Sequence, residues 1–185
     1  MTKPVQLCLA MLKPDLVSFP HLCWRLLEQI WLNPSLQVVG AERTRLSKPL
    51  IARFYAQHQQ RFFYSRLVYH MSSGPVILLV LRGTDVVSHW RGLLGATKVP
   101  VTMRQEPSSI RGRLGLTDHR NVAHGSDSAE STETELTLIS ETRITTESLL
   151  SANPLPDDVI PKLLGTAVNE TISEFGIDWR ENEIS

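Results

Sequence analysis

Cysteine is scarce in this chain, and long apolar runs are missing altogether. Of 185 residues only Cys8 and Cys23 are cysteines. Two cannot build a disulfide framework, and neither lies at a metal-ligand spacing. Each reads as a small buried apolar group in a reducing compartment. No apolar stretch approaches the ~18 residues of a membrane span, so no membrane role is expected. Residues 5–12 are apolar, but only Lys3 precedes them, and Lys13 and Asp15 interrupt at once. That makes a poor signal peptide and a poor Arg-rich transit peptide, and cytoplasm is the expected compartment. Net charge is lacking too, since 19 Lys+Arg balance 19 Asp+Glu. With 42% apolar and 21% charged residues, neither wholesale disorder nor a collagen-like repeat fits. The length suits one domain with a sizeable core and a tail.

Neutrality hides a division. Residues 1–140 hold 16 Lys+Arg and 10 Asp+Glu, a balance of +6, whereas residues 141–185 hold 3 and 9, a balance of −6. A basic body with an acidic end suits an anionic ligand on the body, or equally a solvated tail. No aromatic-basic repeat runs along the chain, so nucleic acid is not an expected partner.

The pattern alternates strands and helices. Residues 5–12 read as a buried strand, and Leu22, Leu26, Ile30 and Trp31 recur at helical spacing until Asn33-Pro34. Residues 36–46 read as a second strand. Ser47 reads as an N-cap with Pro49 in the first turn of a helix through Ile51, Phe54 and Tyr55. A further helix is predicted over 64–71, the strongest strand over 76–81, and a helix capped by Thr84 that stops at Gly95. Residues 96–120 show no clear period, and a loop of that length is usually functional or disordered. Residues 121–124 suggest a short strand, and residues 126–139 a helix capped by Ser126. The expected class is an α/β or α+β sandwich with helices on a four-stranded sheet. Beyond residue 141 the sequence reads as an acidic, partly disordered tail. Asn153-Pro154-Leu155-Pro156 looks like a linker, followed by a weak amphipathic helix over 160–175.

The most informative segment is His124-Gly125-Ser126-Asp127-Ser128. A neutral imidazole is a nucleophile at pH 7, glycine leaves room for an incoming phosphate, and a helix N-terminus offers it N–H groups. The competing reading is a helix cap at Ser126 with His124 filling a loop. Lys13, at the end of a buried strand, must point into a cleft or solvent. Arg91, Arg111 and Arg120 flank the irregular stretch that holds or adjoins Thr97 and Asn121, and fork-shaped guanidinium groups match phosphate oxygens.

The chain resembles the nucleoside diphosphate kinases over roughly residues 5–140. The resemblance is carried by Met11-Leu12-Lys13-Pro14-Asp15, Phe54-Tyr55 with Arg61-Phe62-Phe63, Met71-Ser72-Ser73-Gly74-Pro75-Val76, Trp90-Arg91-Gly92-Leu93-Leu94-Gly95-Ala96-Thr97, Ser109-Ile110-Arg111-Gly112 and Arg120-Asn121-Val122-Ala123-His124-Gly125-Ser126-Asp127-Ser128. It is to the divergent group that includes the sixth human paralogue. It implies a ferredoxin-like α+β sandwich, a four-stranded antiparallel sheet with helices packed on it, over residues 1–140. It also implies a ping-pong phosphoryl transfer between nucleoside tri- and diphosphates, ATP among them, through a phosphohistidine on His124 Nδ1. Lys13, Arg91, Thr97, Arg111 and Asn121 match positions that hold phosphates and ribose. Phe63, with Leu67 nearby, matches the aromatic that stacks on the base. Tyr55 matches a position at the phosphate end, and Ser126 and Glu135 match residues that position the histidine. Mg²⁺ would ride on phosphate oxygens and water, without a side-chain cage.

The chain also departs from the family. Phe62 stands where proline usually precedes the stacking aromatic, and Asp118 where an apolar residue meets the base. The segment between Thr97 and Arg111 is longer, in the loop that builds the family's trimer contacts. The acidic tail replaces a short C-terminal end. These changes leave the oligomeric state open and keep an alternative alive: a weakly active nucleotide-binding or scaffold module that needs a partner protein, with a mitochondrial location by family analogy. His58, His70, His89 and His119 match no family role and read as surface or structural residues.

Overall fold

The computed structural model describes residues 4–140 and 149–164. Its centre is made by two strands whose sequences are almost continuously apolar, as strands covered on both faces must be. β1 (Val5–Leu12) leads through α1 (Pro14–Val17) and α2 (Pro20–Trp31) to β2 (Gln37–Thr44). Then come α3 (Lys48–Phe54), α4 (Tyr64–Ser72), β3 (Val76–Thr84), α5 (Val86–Leu94), α6 (Val99–Gln105) and α7 (Ile110–Leu114). β4 (Ala123–Gly125), α8 (Ala129–Ile139) and α9 (Ile160–Leu164) complete the order. The sheet order is β2-β3-β1-β4 and every pair is antiparallel. This is the ferredoxin-like α+β arrangement that the resemblance implies.

Alternation along the central strands sorts the core into two layers. Cys8, Ala10 and Leu12 of β1 and Ile77, Leu79 and Leu81 of β3 face α2 and α5. Leu9, Met11, Val76, Leu78 and Val80 face α3, α4 and α8. Both cysteines are free and buried, and burial pushes each thiol up to about 12. Among the described residues no helix is long and apolar enough to cross a membrane.

Four local expectations are corrected. Thr84 remains in β3, paired with Val5, and the N-cap of α5 is Asp85 in a left-handed conformation, φ 54°. The strand runs as far as its partner does, so the reversal falls one residue later on a side chain that tolerates it. The stretch 96–120 is not aperiodic loop but contains α6 and α7. α6 shows no readable stripe because Pro100, Val101 and Met103 are exposed and only Val99 and Thr102 are buried. It is held from outside its own sequence, with the Val99 N–H donating to Asp118 Oδ1 at 3.1 Å. Ser126 does not cap α8. It is drawn into the core, and the cap is Ser128, in a reciprocal box with Ser131. Finally, Asn153-Pro154-Leu155-Pro156 is no free linker. The Leu155 N–H donates to Val38 O at 2.7 Å, the Trp31 indole donates to Leu155 O at 3.0 Å, and Arg82 donates to Leu150 and Ala152 carbonyls. α9 then sets Ile160, Leu163 and Leu164 into the layer against α2. The rest of the helix expected over 160–175, and residues 141–148, lie outside the described residues.

Candidate active site

β4 pairs with the end of β1, placing His124 opposite Met11. Cross-strand partners share a face, so the imidazole lies on the side of α3 and α8. Phe54 meets its ring edge-on at 5.2 Å between centroids, and Tyr55 at 6.1 Å. The His124 side chain keeps 17% exposure, opening into a cleft of about 1230 Å³.

Glu135, from the second turn of α8, brings Oε1 to 3.0 Å from His124 Nε2. The pair is a close polar contact rather than a formed hydrogen bond. The other carboxylate oxygen accepts from Ser126 Oγ at 2.6 Å, and that hydroxyl in turn accepts the Leu9 N–H at 3.1 Å. β1 is thereby linked through Ser126 and Glu135 to the Nε2 edge of the imidazole. Among the described residues no hydrogen bond engages Nδ1.

Gly125 needs a different explanation from the one its sequence suggests. A Cβ there would lie 2.5 Å from Trp90 Cδ1 and 2.7 Å from its Nε1. The fully buried indole, whose N–H donates to the His124 carbonyl at 3.2 Å, takes that space, rather than a phosphate. The α8 N-terminus is likewise less open than expected, because Ser128 and Ser131 engage each other's backbone N–H groups.

Lys13 follows β1 and is only 5% exposed, with Nζ donating to Asn121 Oδ1 at 2.6 Å and to the His119 carbonyl at 3.3 Å. Burial lowers its ammonium to about 8, with Arg111 acting the same way and Asp15 opposing. The Arg111 guanidinium donates to the Gly95, Asn121 and Ala123 carbonyls, and burial with Arg91 beside it lowers it to about 10, still charged at neutral pH. The Tyr55 hydroxyl is buried and has no hydrogen-bond partner among the described residues, and burial and Glu135 raise it above the usual range, so it stays a donor.

Of the residues singled out from sequence, Lys13, Tyr55, Phe63, Leu67, Arg91, Thr97, Arg111, Asn121, His124 and Glu135 all line this one cleft. Ser126 lies behind it. Arg120 is exposed and does not line it, so the three-arginine expectation reduces to Arg91 and Arg111. Asp118 lines the cleft but spends Oδ1 on α6 and its carbonyl on the Asn121 amide. Phe62, at the lip, is 86% exposed and packs edge-on to Phe63 at 5.6 Å. Sequence reasoning missed Arg66, His58 and Lys98, which also line the cleft. Arg66 was findable, since it stands three residues beyond Phe63, in the first turn of the helix that Phe63 precedes. Among the described residues no group of three or more His, Cys, Asp or Glu side chains is arranged to hold a metal.

A family model, nucleoside diphosphate kinase, matches residues 6–143. Nucleoside diphosphate kinase 6 of Xenopus tropicalis is 43% identical over 135 residues, 73% of this chain and 75% of that protein. The protein of the same name from Homo sapiens is 42% identical over 132 residues, 71% of this chain and 70% of its own length. Among solved structures, the Aquifex aeolicus nucleoside diphosphate kinase superposes with TM-score 0.69 at 32% identity, covering 74% of this chain and 95% of that one. A halophilic nucleoside diphosphate kinase from Halobacterium salinarum, in complex with CDP, gives TM-score 0.65 at 29% identity, covering 74% and 87%. The chain belongs to the nucleoside diphosphate kinase family.

Proposed function

We propose that the cleft transfers the γ-phosphoryl group of a nucleoside triphosphate to a nucleoside diphosphate, in two steps through His124. Nδ1 attacks the γ-phosphorus, an N–P bond forms, the bond to the β–γ bridging oxygen breaks, and the diphosphate leaves. A terminal oxygen of the second diphosphate then attacks the phosphohistidine and restores the free ring. The observation that carries this reading is the asymmetry of the imidazole. Nε2 faces Glu135 at 3.0 Å, whereas among the described residues no hydrogen bond engages Nδ1, and Lys13, Arg91 and Arg111 line the same cleft.

Each group then has a role. Forming the N–P bond makes the ring cationic, and the Glu135 carboxylate, fixed by Ser126, stabilises that charge. Lys13, Arg91 and Arg111 neutralise the phosphates, and Tyr55 donates to a phosphoryl oxygen with a hydroxyl that no other described residue engages. Asn121 and Thr97 hold ribose and phosphate. Phe63 and Leu67 offer the base a flat apolar face that reads no edge, which suits a broad nucleotide range. The residues fit a magnesium ion carried on the nucleotide, because the Glu135, Asp118 and Glu106 carboxylates already serve protein groups. When bound, Mg²⁺ screens the phosphate charge and fixes the geometry of its oxygens.

Two-substrate kinetics test the order. Parallel double-reciprocal lines for triphosphate and diphosphate are expected from a covalent intermediate. Intersecting lines, or transfer that survives His124→Ala, contradict it.

A further inference from the structure

Val122 has φ 78°, a left-handed conformation that a β-branched residue avoids. The Ala123 N–H donates to Asn121 O at 2.9 Å, closing a three-residue γ-turn around it, and turns of this hand are rare and strained. Such strain persists only where the surroundings over-determine it. Here one short segment grips both backbone groups of Val122. Its N–H donates to Asp15 Oδ2 at 3.0 Å, and its carbonyl accepts the Lys13 N–H at 2.9 Å.

The turn carries the phosphate end of the cleft. Its first residue, Asn121, is 1% exposed and takes the Lys13 ammonium, and its last leads directly into His124. The second Asp15 oxygen, Oδ1, lies 2.8 Å from His70 Nε2, with both side chains under one-tenth exposed. Burial pushes the Asp15 carboxyl up, but His70, the Val122 N–H and Lys13 together outweigh it and hold it below the usual range. It is therefore an ionised acceptor. His70 lies on α4, the helix that carries Leu67. One carboxylate thus ties the helix under the base-stacking face to the turn under the phosphate cations.

We propose that Asp15, oriented by His70, is a positioning residue for nucleotide binding. It holds the Asn121–Val122–Ala123 turn and so aims Lys13 and Asn121 at the phosphates. Neither Asp15 nor His70 lines the cleft, so both act through others, and the inference rests on the nucleotide reading above.

Calorimetric titration of the full chain with ADP, below each variant's unfolding temperature, tests it. Asp15→Ala is expected to weaken ADP binding about tenfold, the scale of one charge-assisted hydrogen bond. Asp15→Asn is expected to restore affinity to within about threefold: its oxygen accepts from Val122, and its amide faces the other His70 tautomer. His70→Phe keeps a planar aromatic ring but removes the donor, and is expected to weaken ADP several-fold even if Asp15→Ala does not fold. Arg82→Ala, at the β2 side of the sheet, is expected to lower Tm without moving ADP affinity. The proposal is overturned if folded Asp15→Ala or His70→Phe binds ADP as tightly as wild type, since lost stability alone marks a purely structural role. Wild-type protein that binds no ADP brings down the nucleotide reading, and this inference with it.

Discussion

Lys13 carries its charge where charge is costly, and this gives the site a pH dependence of known sign. Below about pH 8 the ammonium is protonated in folded and unfolded chains alike, and the burial penalty is fully present. Between about 8 and the ordinary lysine value of 10.5 the folded protein releases its proton first, so this group's contribution to stability improves as pH rises. Ligand binding runs the other way, because phosphate favours the ammonium. Binding of ADP at about pH 8.5 is therefore expected to take up a proton, and affinity to fall as pH rises through about 8. Calorimetry in buffers of different ionisation heat reads that proton, and zero uptake contradicts the account. Gly125 supports a second expectation. Gly125→Ala drives a methyl into Trp90 and should cost about 1–3 kcal/mol in thermal unfolding, as overpacking does. An unchanged Tm removes this explanation of the glycine. At this scale the sequence was informative where chemistry is local: His124, Lys13, Arg91 and Arg111 stand out by type and by the motif around them, and all line one cleft, whereas Arg120 does not. The reason for Gly125 was not legible, because Trp90 lies 35 positions earlier in the chain.

α6 shows where reading by element stops. Its residues have neither the stripe nor the local cap that marks a helix, and its first N–H is satisfied by a carboxylate 19 residues away. The same contact gives Asp118 a job unrelated to the base. Asp118→Ala is expected to cost about 1 kcal/mol and to speed hydrogen exchange at the Val99 amide, whereas Asp118→Asn keeps the acceptor and most of the protection. Equal protection in both variants contradicts the cap. α3 and the central strands were legible because their signals are local: Ser47 with Pro49 for the helix, continuous apolar residues for β3. The cap of α8 slipped from Ser126 to Ser128 because the Leu9 backbone and Glu135 claim the first serine.

For the whole molecule, the strongest consequence concerns residues 149–164. β2 is an edge strand, and an uncovered edge invites pairing with another chain. Here Leu155 occupies Val38, while Leu149, Ile160, Leu163 and Leu164 fill both core layers. Leu163→Ala should cost about 2–5 kcal/mol, and ending the chain after residue 148 should lower Tm further and promote self-association in light scattering. A shortened chain as stable and as monodisperse as the full one contradicts this view of the strap. Its composition hid the role: prolines and acids read as a linker, and the apolar residues that dock are too few to show a period. The strands were legible from their apolar runs, and the antiparallel ferredoxin-like arrangement from the family resemblance; the order β2-β3-β1-β4 came from the structure.

The central claim is that His124 carries the phosphoryl group between nucleotides. Incubating the pure protein with γ-labelled ATP and Mg²⁺, then passing it through acid and alkali, addresses it directly. The account predicts a labelled protein whose label is acid-labile and alkali-stable, discharged by added diphosphate and absent from His124→Ala. An unlabelled wild-type protein, or a label that survives His124→Ala, contradicts it.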